Sequence, residues 1–135
     1  MRARLAGAAL ALAGCGLGGS PTMRPGTDCL TCHDGGRARR WTVAGTVYPT
    51  PSSGSRSGVL DAHVQIRDAG GWSFEVQTNV AGNFYTAESV AFPLQVCVVL
   101  GGAATCMSAP VDYGGCNACH AQPPAGGAPG RVAVP

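Results

Sequence analysis

Apolar and polar positions alternate along much of residues 41–107, the period of strands with one face in a core. Leu60, Ala62, Val64 and Ile66 form one such face, with Asp61, His63, Gln65 and Arg67 on the other. After Gly70-Gly71 the pattern resumes with Trp72, Phe74, Val76 and Thr78. Further strands are expected at 42–48, 83–87 and within 94–107, with a Pro, Ser and Gly loop over 49–58. Six or seven short strands in about 70 residues predict a mainly β fold, a small antiparallel β-sandwich.

The last apolar stretch contains its own turn. Gly101-Gly102 suits a two-residue hairpin loop, which places Leu100 opposite Ala103 and Cys97 opposite Cys106. Counted outward from the turn, the cysteines fall on a non-hydrogen-bonded pair, where Cα atoms approach to about 4.5 Å. A Cys97–Cys106 disulfide is therefore expected.

Composition agrees with this reading. Only 12% of the 135 residues are charged, none is Lys, and there are 21 Gly and 10 Pro. Turns then punctuate short strands, and a helical bundle is excluded. The net charge of +2 comes from Arg2 and Arg4 in the first fourteen residues. The remainder balances seven Arg against seven acids, which leaves no basic surface for nucleic acid or a polybasic membrane contact.

Those first residues read as a leader. Met1-Arg2-Ala3-Arg4 precedes an apolar run over 5–13, too short to span a bilayer. Its end, Leu12-Ala13-Gly14-Cys15, resembles a bacterial lipobox, which implies signal removal and lipidation of Cys15. The chain thus divides into a signal at 1–14, a flexible linker at 15–27, an attachment segment at 28–40, the sandwich at 41–110, and a second attachment segment with tail at 111–135. Gly16 rather than Asp after the cysteine favours the outer membrane, on its periplasmic or surface side.

The attachment segments carry the chemistry. Cys29-Leu30-Thr31-Cys32-His33 and Cys116-Asn117-Ala118-Cys119-His120 both have the C-x-x-C-H spacing of covalent haem. Two thiols three positions apart can form thioethers with one porphyrin edge, and the adjacent imidazole reaches the iron from the same turn. Cys29, Cys32, Cys116 and Cys119 are thus expected to hold two haem c groups, with His33 and His120 as proximal ligands. A four-thiolate zinc site is the rival, but it leaves both histidines and the export leader without purpose. Two local disulfides are a further alternative.

For the sixth iron positions the sequence offers Met23, Met107 and His63. Met23 lies in a linker where no strand explains it, Met107 has a natural place in the core, and His63 belongs to a polar face. Arg37, Arg39, Arg40 and Arg131 lie near the motifs in sequence and could pair with propionates. No paired carboxylates, phosphate loop or activated nucleophile is apparent, so an electron carrier is expected rather than an enzyme.

Ala44-Gly45-Thr46-Val47-Tyr48, the strand ending Val64-Gln65-Ile66-Arg67-Asp68, and Thr78-Asn79-Val80-Ala81-Gly82-Asn83-Phe84-Tyr85 resemble the carboxypeptidase-regulatory-like, or transthyretin-like, sandwich. That resemblance implies an Ig-like β fold and no activity of its own. Flanked by two haem-binding loops, the sandwich is similar to bacterial lipoprotein dihaem cytochromes. This implies electron transfer at the cell envelope, other multihaem cytochromes as redox partners, and a membrane contact through lipid alone. A haem-based sensor, or a structural or binding lipoprotein whose cysteine pairs hold zinc or disulfides, are the alternatives.

Overall fold

The computed structural model describes Cys15 and residues 19–135; the leader at 1–14 lies outside the described residues. Seven strands follow in chain order: β1 (Val43–Tyr48), β2 (His63–Arg67), β3 (Ser73–Gln77), β4 (Asn83–Thr86), β5 (Gln95–Leu100), β6 (Ala103–Cys106) and β7 (Val132–Ala133). They form two sheets, ordered β4-β1-β7 and β3-β2-β5-β6. The fold is a small, mainly β sandwich, as the alternation predicts. Among the described residues no helix is long and apolar enough to cross a membrane.

Alternation fixes which side chains meet between the sheets. Val64 and Ile66 of β2, Val96 and Val98 of β5, and Val43, Val47 and Phe84 of the smaller sheet are buried in one core with Ala62 and Leu94. The opposite face of β2 carries His63, Gln65 and Arg67, none of them buried. Asn79 Oδ1 accepts from the amides of Ala81 and Asn83, closing the turn before β4. Gly82 there has φ +78°, and a Cβ at this position would strike the Val47 carbonyl.

The hairpin register is the expected one. Leu100 pairs with Ala103 and Cys97 with Cys106, and the two cysteines are disulfide-bonded with Cα atoms 4.0 Å apart.

Three expectations are corrected. Leu60 is 50% exposed, because Asp61 turns the chain with φ +61° and the strand starts only at His63. Trp72 lies just ahead of β3 and is half-exposed, stacked on Phe74 with ring centroids 4.5 Å apart. The sheet also does not end at residue 110: β7 pairs in parallel with β1, Val47 opposite Val132 and Tyr48 opposite Ala133.

All six residues of β1 are buried, although its sheet has only three strands. Val43, Gly45 and Val47 face the core. Ala44, Thr46 and Tyr48 face the other way, beneath a third layer built from the linker and the two C-x-x-C-H segments. The sandwich is thus a platform: the first motif lies over the outer side of one of its sheets, and the second runs along the free edge of β1, with Cys116 packed against the core.

Candidate functional site

Both motifs fold in the same way. Cys29–Thr31 and Cys116–Ala118 are single 3₁₀ turns, and the amides of His33 and His120 return to the carbonyls of Cys29 and Cys116 at 2.9 and 3.0 Å. Each turn brings its first cysteine and its histidine together, which is the task the spacing sets.

The histidines are oriented alike. His33 Nδ1 lies 2.8 Å from the Arg39 carbonyl, and His120 Nδ1 lies 2.8 Å from the Gly130 carbonyl. A carbonyl only accepts, so Nδ1 donates in both rings, and in the neutral imidazole the lone pair is then on Nε2. His33 also packs against Trp41 at 5.3 Å between centroids, and Trp41 against Tyr85 at 4.7 Å.

The two motifs are neighbours, joined by a polar network centred on Thr46, which is fully buried. Asn117, the second residue of the second motif, accepts from the Thr46 amide at 3.1 Å. Its Nδ2 donates to Thr46 Oγ1 at 3.0 Å and to the Thr27 carbonyl, beside the first motif, at 2.9 Å. Thr46 Oγ1 in turn donates to Asn83 Oδ1 and accepts from the Gly26 amide. A second bridge runs from Tyr113 Oη to Asp28 Oδ2 at 2.9 Å, while Asp28 Oδ1 caps the first turn at the Leu30 amide. Gly114 completes the junction: its carbonyl accepts from Ala44, and a Cβ there would collide with the Thr42 carbonyl.

Nothing in the sequence marked Thr46, Asn117, Asp28 or Tyr113. Asn117 and Thr46 are separated by most of the sandwich, and a polar residue inside C-x-x-C-H is unremarkable until the strand beneath it is known. Burial, with Asp28 and Tyr113 in contact, pushes the Tyr113 phenol up to about 12, the Asp28 hydrogen bond adding to it.

The thiols differ. Burial pushes Cys29 up to about 11 and Cys116 up to about 12, and the proximity of Cys29 contributes to the rise at Cys116. Cys119 is exposed. Cys32 is disulfide-bonded to Cys15. That bond excludes a thioether at Cys32 and a lipid thioether at Cys15 for as long as it exists, so the structure departs here from the expected use of both sulfurs. The departure is local, because the turn at Cys29, the His33 hydrogen bond and the whole second motif are unaffected by it.

The candidate sixth ligands separate. Met23 lies in the third layer with the motifs, its carbonyl accepting from Asn83 Nδ2 at 3.0 Å. Met107 packs against the core, and its amide bonds to the Val96 carbonyl, which gives it the structural place its strand pattern suggests. His63 projects from the outer face of the β3-β2-β5-β6 sheet, opposite Val99, away from the first motif across the sandwich and from the second, which lies at the β1 edge beyond the Leu94–Val111 bridge. Its Nδ1 lies 2.5 Å from Glu75 Oε1, and Gln65 Nε2 donates to Glu75 Oε2 at 3.2 Å. These hydrogen bonds, Gln65 first and His63 second, hold the Glu75 carboxyl below its ordinary range.

The arginines also diverge. Arg37 pairs with Asp34 at 3.6 Å, and Arg39 lies over Trp41. Arg131 is buried against Tyr48, its Nε donating to the Ser53 carbonyl at 2.7 Å, so it staples the C-terminal segment onto β1. Only Arg40 lines an open cleft of about 650 Å³ beside the first motif, with Leu30, Trp41, Phe92 and Tyr113 on its walls.

Among the described residues no group of three or more His, Cys, Asp or Glu side chains is gathered as a metal-ion site. No protein-family model, curated protein or solved structure matches the chain.

Proposed function

We propose that the chain is a lipid-anchored dihaem c-type cytochrome that carries single electrons at the bacterial cell envelope and transforms no substrate. One observation carries the reading: the two C-x-x-C-H turns present equivalent imidazoles, each with Nδ1 held by a backbone carbonyl and Nε2 left for iron. A structural zinc site of four thiolates would not need either orientation, and the site offers no gathered ligand set for it.

The haems, when bound, supply reversible one-electron chemistry. The chain's own residues do the rest. Cys29, Cys32, Cys116 and Cys119 would form the thioethers, and His33 and His120 would ligate the irons. Asn117 and Tyr113 hold the two turns side by side, which supports electron exchange within one molecule. The cleft walls of Leu30, Trp41, Phe92 and Tyr113 suit an apolar macrocycle, and Arg40 suits a propionate. Met23 is the candidate sixth ligand that shares the layer of the motifs.

The Cys15–Cys32 bond favours a second reading, in which the first motif stays closed and only Cys116 and Cys119 take haem. Intact mass of protein exported in a host with haem-attachment machinery separates the readings. Two haem masses plus lipid support the dihaem lipoprotein. One haem without lipid, with Cys15 linked to Cys32, supports the second. Protein that carries zinc and no haem refutes both.

A further inference from the structure

We infer that His63 is the sixth iron ligand for a haem held by a second copy of the same chain. The inference rests on the dihaem reading and adds to it a partner and a direction of assembly.

Ligand arithmetic opens the argument. Two C-x-x-C-H motifs leave two sixth positions, and His63 is the single histidine outside the motifs. Placement then decides where it can act. The first motif turn lies over the outer side of β1 and the second along its free edge, close to the Leu94 end of β5, whereas His63 projects from the outer side of the other sheet, opposite Val99 at the far end of β5. Sheets in a sandwich pack about 10 Å apart, with side-chain layers beyond each. His63 therefore cannot ligate a haem attached to its own chain.

Its surroundings are nevertheless those of a prepared ligand. The Glu75 carboxylate only accepts, so the 2.5 Å contact makes Nδ1 the donor, and in the neutral ring, the form that ligates, the lone pair is on Nε2. Gln65 holds the other Glu75 oxygen, so two neighbours fix the carboxylate that fixes the ring. A ligating histidine is typically oriented in this way, by a hydrogen bond at the ring nitrogen that does not touch the metal. His33 and His120 have the same arrangement, with a carbonyl in place of the carboxylate. The side chain is about two-fifths exposed, open to a second molecule.

Ligation needs no co-reactant. Nε2 donates its lone pair and a solvent molecule leaves, with no net transfer of electrons or protons. The formal charge balance of the chain after the leader adds no net repulsion between copies. Because His63 and the motifs occupy different parts of the surface, the contact is heterologous, and repetition extends it head to tail.

The test uses the full chain, purified in detergent with its haem content fixed by intact mass. Sedimentation velocity and spin-state spectroscopy are followed together over a wide concentration range. Wild-type protein should form larger species as it is concentrated, with a parallel rise in low-spin haem. His63→Ala should stay monomeric and keep one haem per chain high-spin at every concentration, with an unchanged far-ultraviolet circular dichroism spectrum. Free imidazole should restore its low-spin spectrum without restoring assembly. Glu75→Gln should shift assembly to higher concentration. A wild-type spectrum independent of concentration, or assembly of His63→Ala like that of wild type, would overturn the inference while the dihaem reading stands. A chain without haem mass would overturn both.

Discussion

Asn117 Oδ1 accepts the backbone N–H of Thr46 at 3.1 Å, so one side chain inside the second motif satisfies a buried amide at the centre of the platform strand. The same side chain reaches the Thr27 carbonyl beside the first motif, so it couples the two motifs to each other as well as to β1. Asn117→Leu would leave the Thr46 amide and the Thr27 carbonyl without this partner. Stability should fall by about 2–3 kcal/mol, the scale for stranding buried polar groups, as read by denaturant unfolding. Asn117→Asp keeps the acceptor but sets a buried carboxylate against the Thr27 carbonyl, so it should cost at least as much as Leu, and a stability close to wild type for Asp would contradict the neutral network.

The Cys97–Cys106 bond lies in the β5-β6 hairpin of the sheet that carries His63, across the sandwich from the first motif. Replacing both cysteines with Ala should cost about 2.5–3 kcal/mol in the chain-entropy picture and leave the haem spectrum unchanged. Unreduced peptide mapping should recover the two cysteines in one linked peptide. Two alkylatable thiols would refute the bond.

Tyr113 should ionise near pH 12 rather than at the ordinary value of 10.0, in Cζ-labelled tyrosine NMR. The sign of its effect on stability follows from the direction of the shift. Below pH 10 both folded and unfolded chains keep the phenol protonated; between 10 and 12 only the unfolded chain releases it, so stability falls as pH rises through that window. Tyr113→Phe should remove this alkaline loss. An unshifted titration would mean that neither the desolvation of the phenol nor the Asp28 bridge holds in solution.

Met23 and Met107 should behave oppositely. Met107→Ala opens space beside the core and should cost about 2 kcal/mol, at the low end for truncating a methionine because the residue is only partly buried. Its visible spectrum should stay that of wild type. Met23→Ala should leave stability nearly unchanged and abolish the weak long-wavelength charge-transfer band of iron–thioether ligation. Loss of that band in Met107→Ala would reverse the assignment.

Cys15→Ala distinguishes the two uses of that cysteine. With lipid on Cys15, the variant should leave the membrane fraction for the soluble one, its haem content unchanged. If Cys15 instead occupies Cys32 in a disulfide, the variant should gain a haem at the first motif, visible as added mass.

The sandwich was legible because its signals are local: the period of two along β2 and β3, and a glycine pair that sets the register of Cys97 on Cys106. The spacing within each motif was legible for the same reason, since both cysteines and the histidine lie in one turn. The site's scaffold was not. Thr46, Asn117, Asp28 and Tyr113 meet through contacts between distant parts of the chain, and each looks ordinary where it stands in sequence. Leu60 misled because alternation continues through Asp61, whose left-handed backbone ends the strand pattern. β7 was missed because two residues are too few to show a period.

The parallel pairing of β1 with β7 also sets an order of events for a chain that is made from its N-terminus. β1 emerges early, yet one of its neighbours and the Arg131 staple over Tyr48 arrive only when the last residues do. Until then the first attachment segment has an incomplete floor and the second does not yet exist. Vectorial synthesis therefore leaves Cys29 and His33 without their complete floor for most of the time the chain takes to appear. The β1–β7 pairing and the Arg131 contact on Tyr48 await the last residues, so a truncation ahead of Arg131 would lack both.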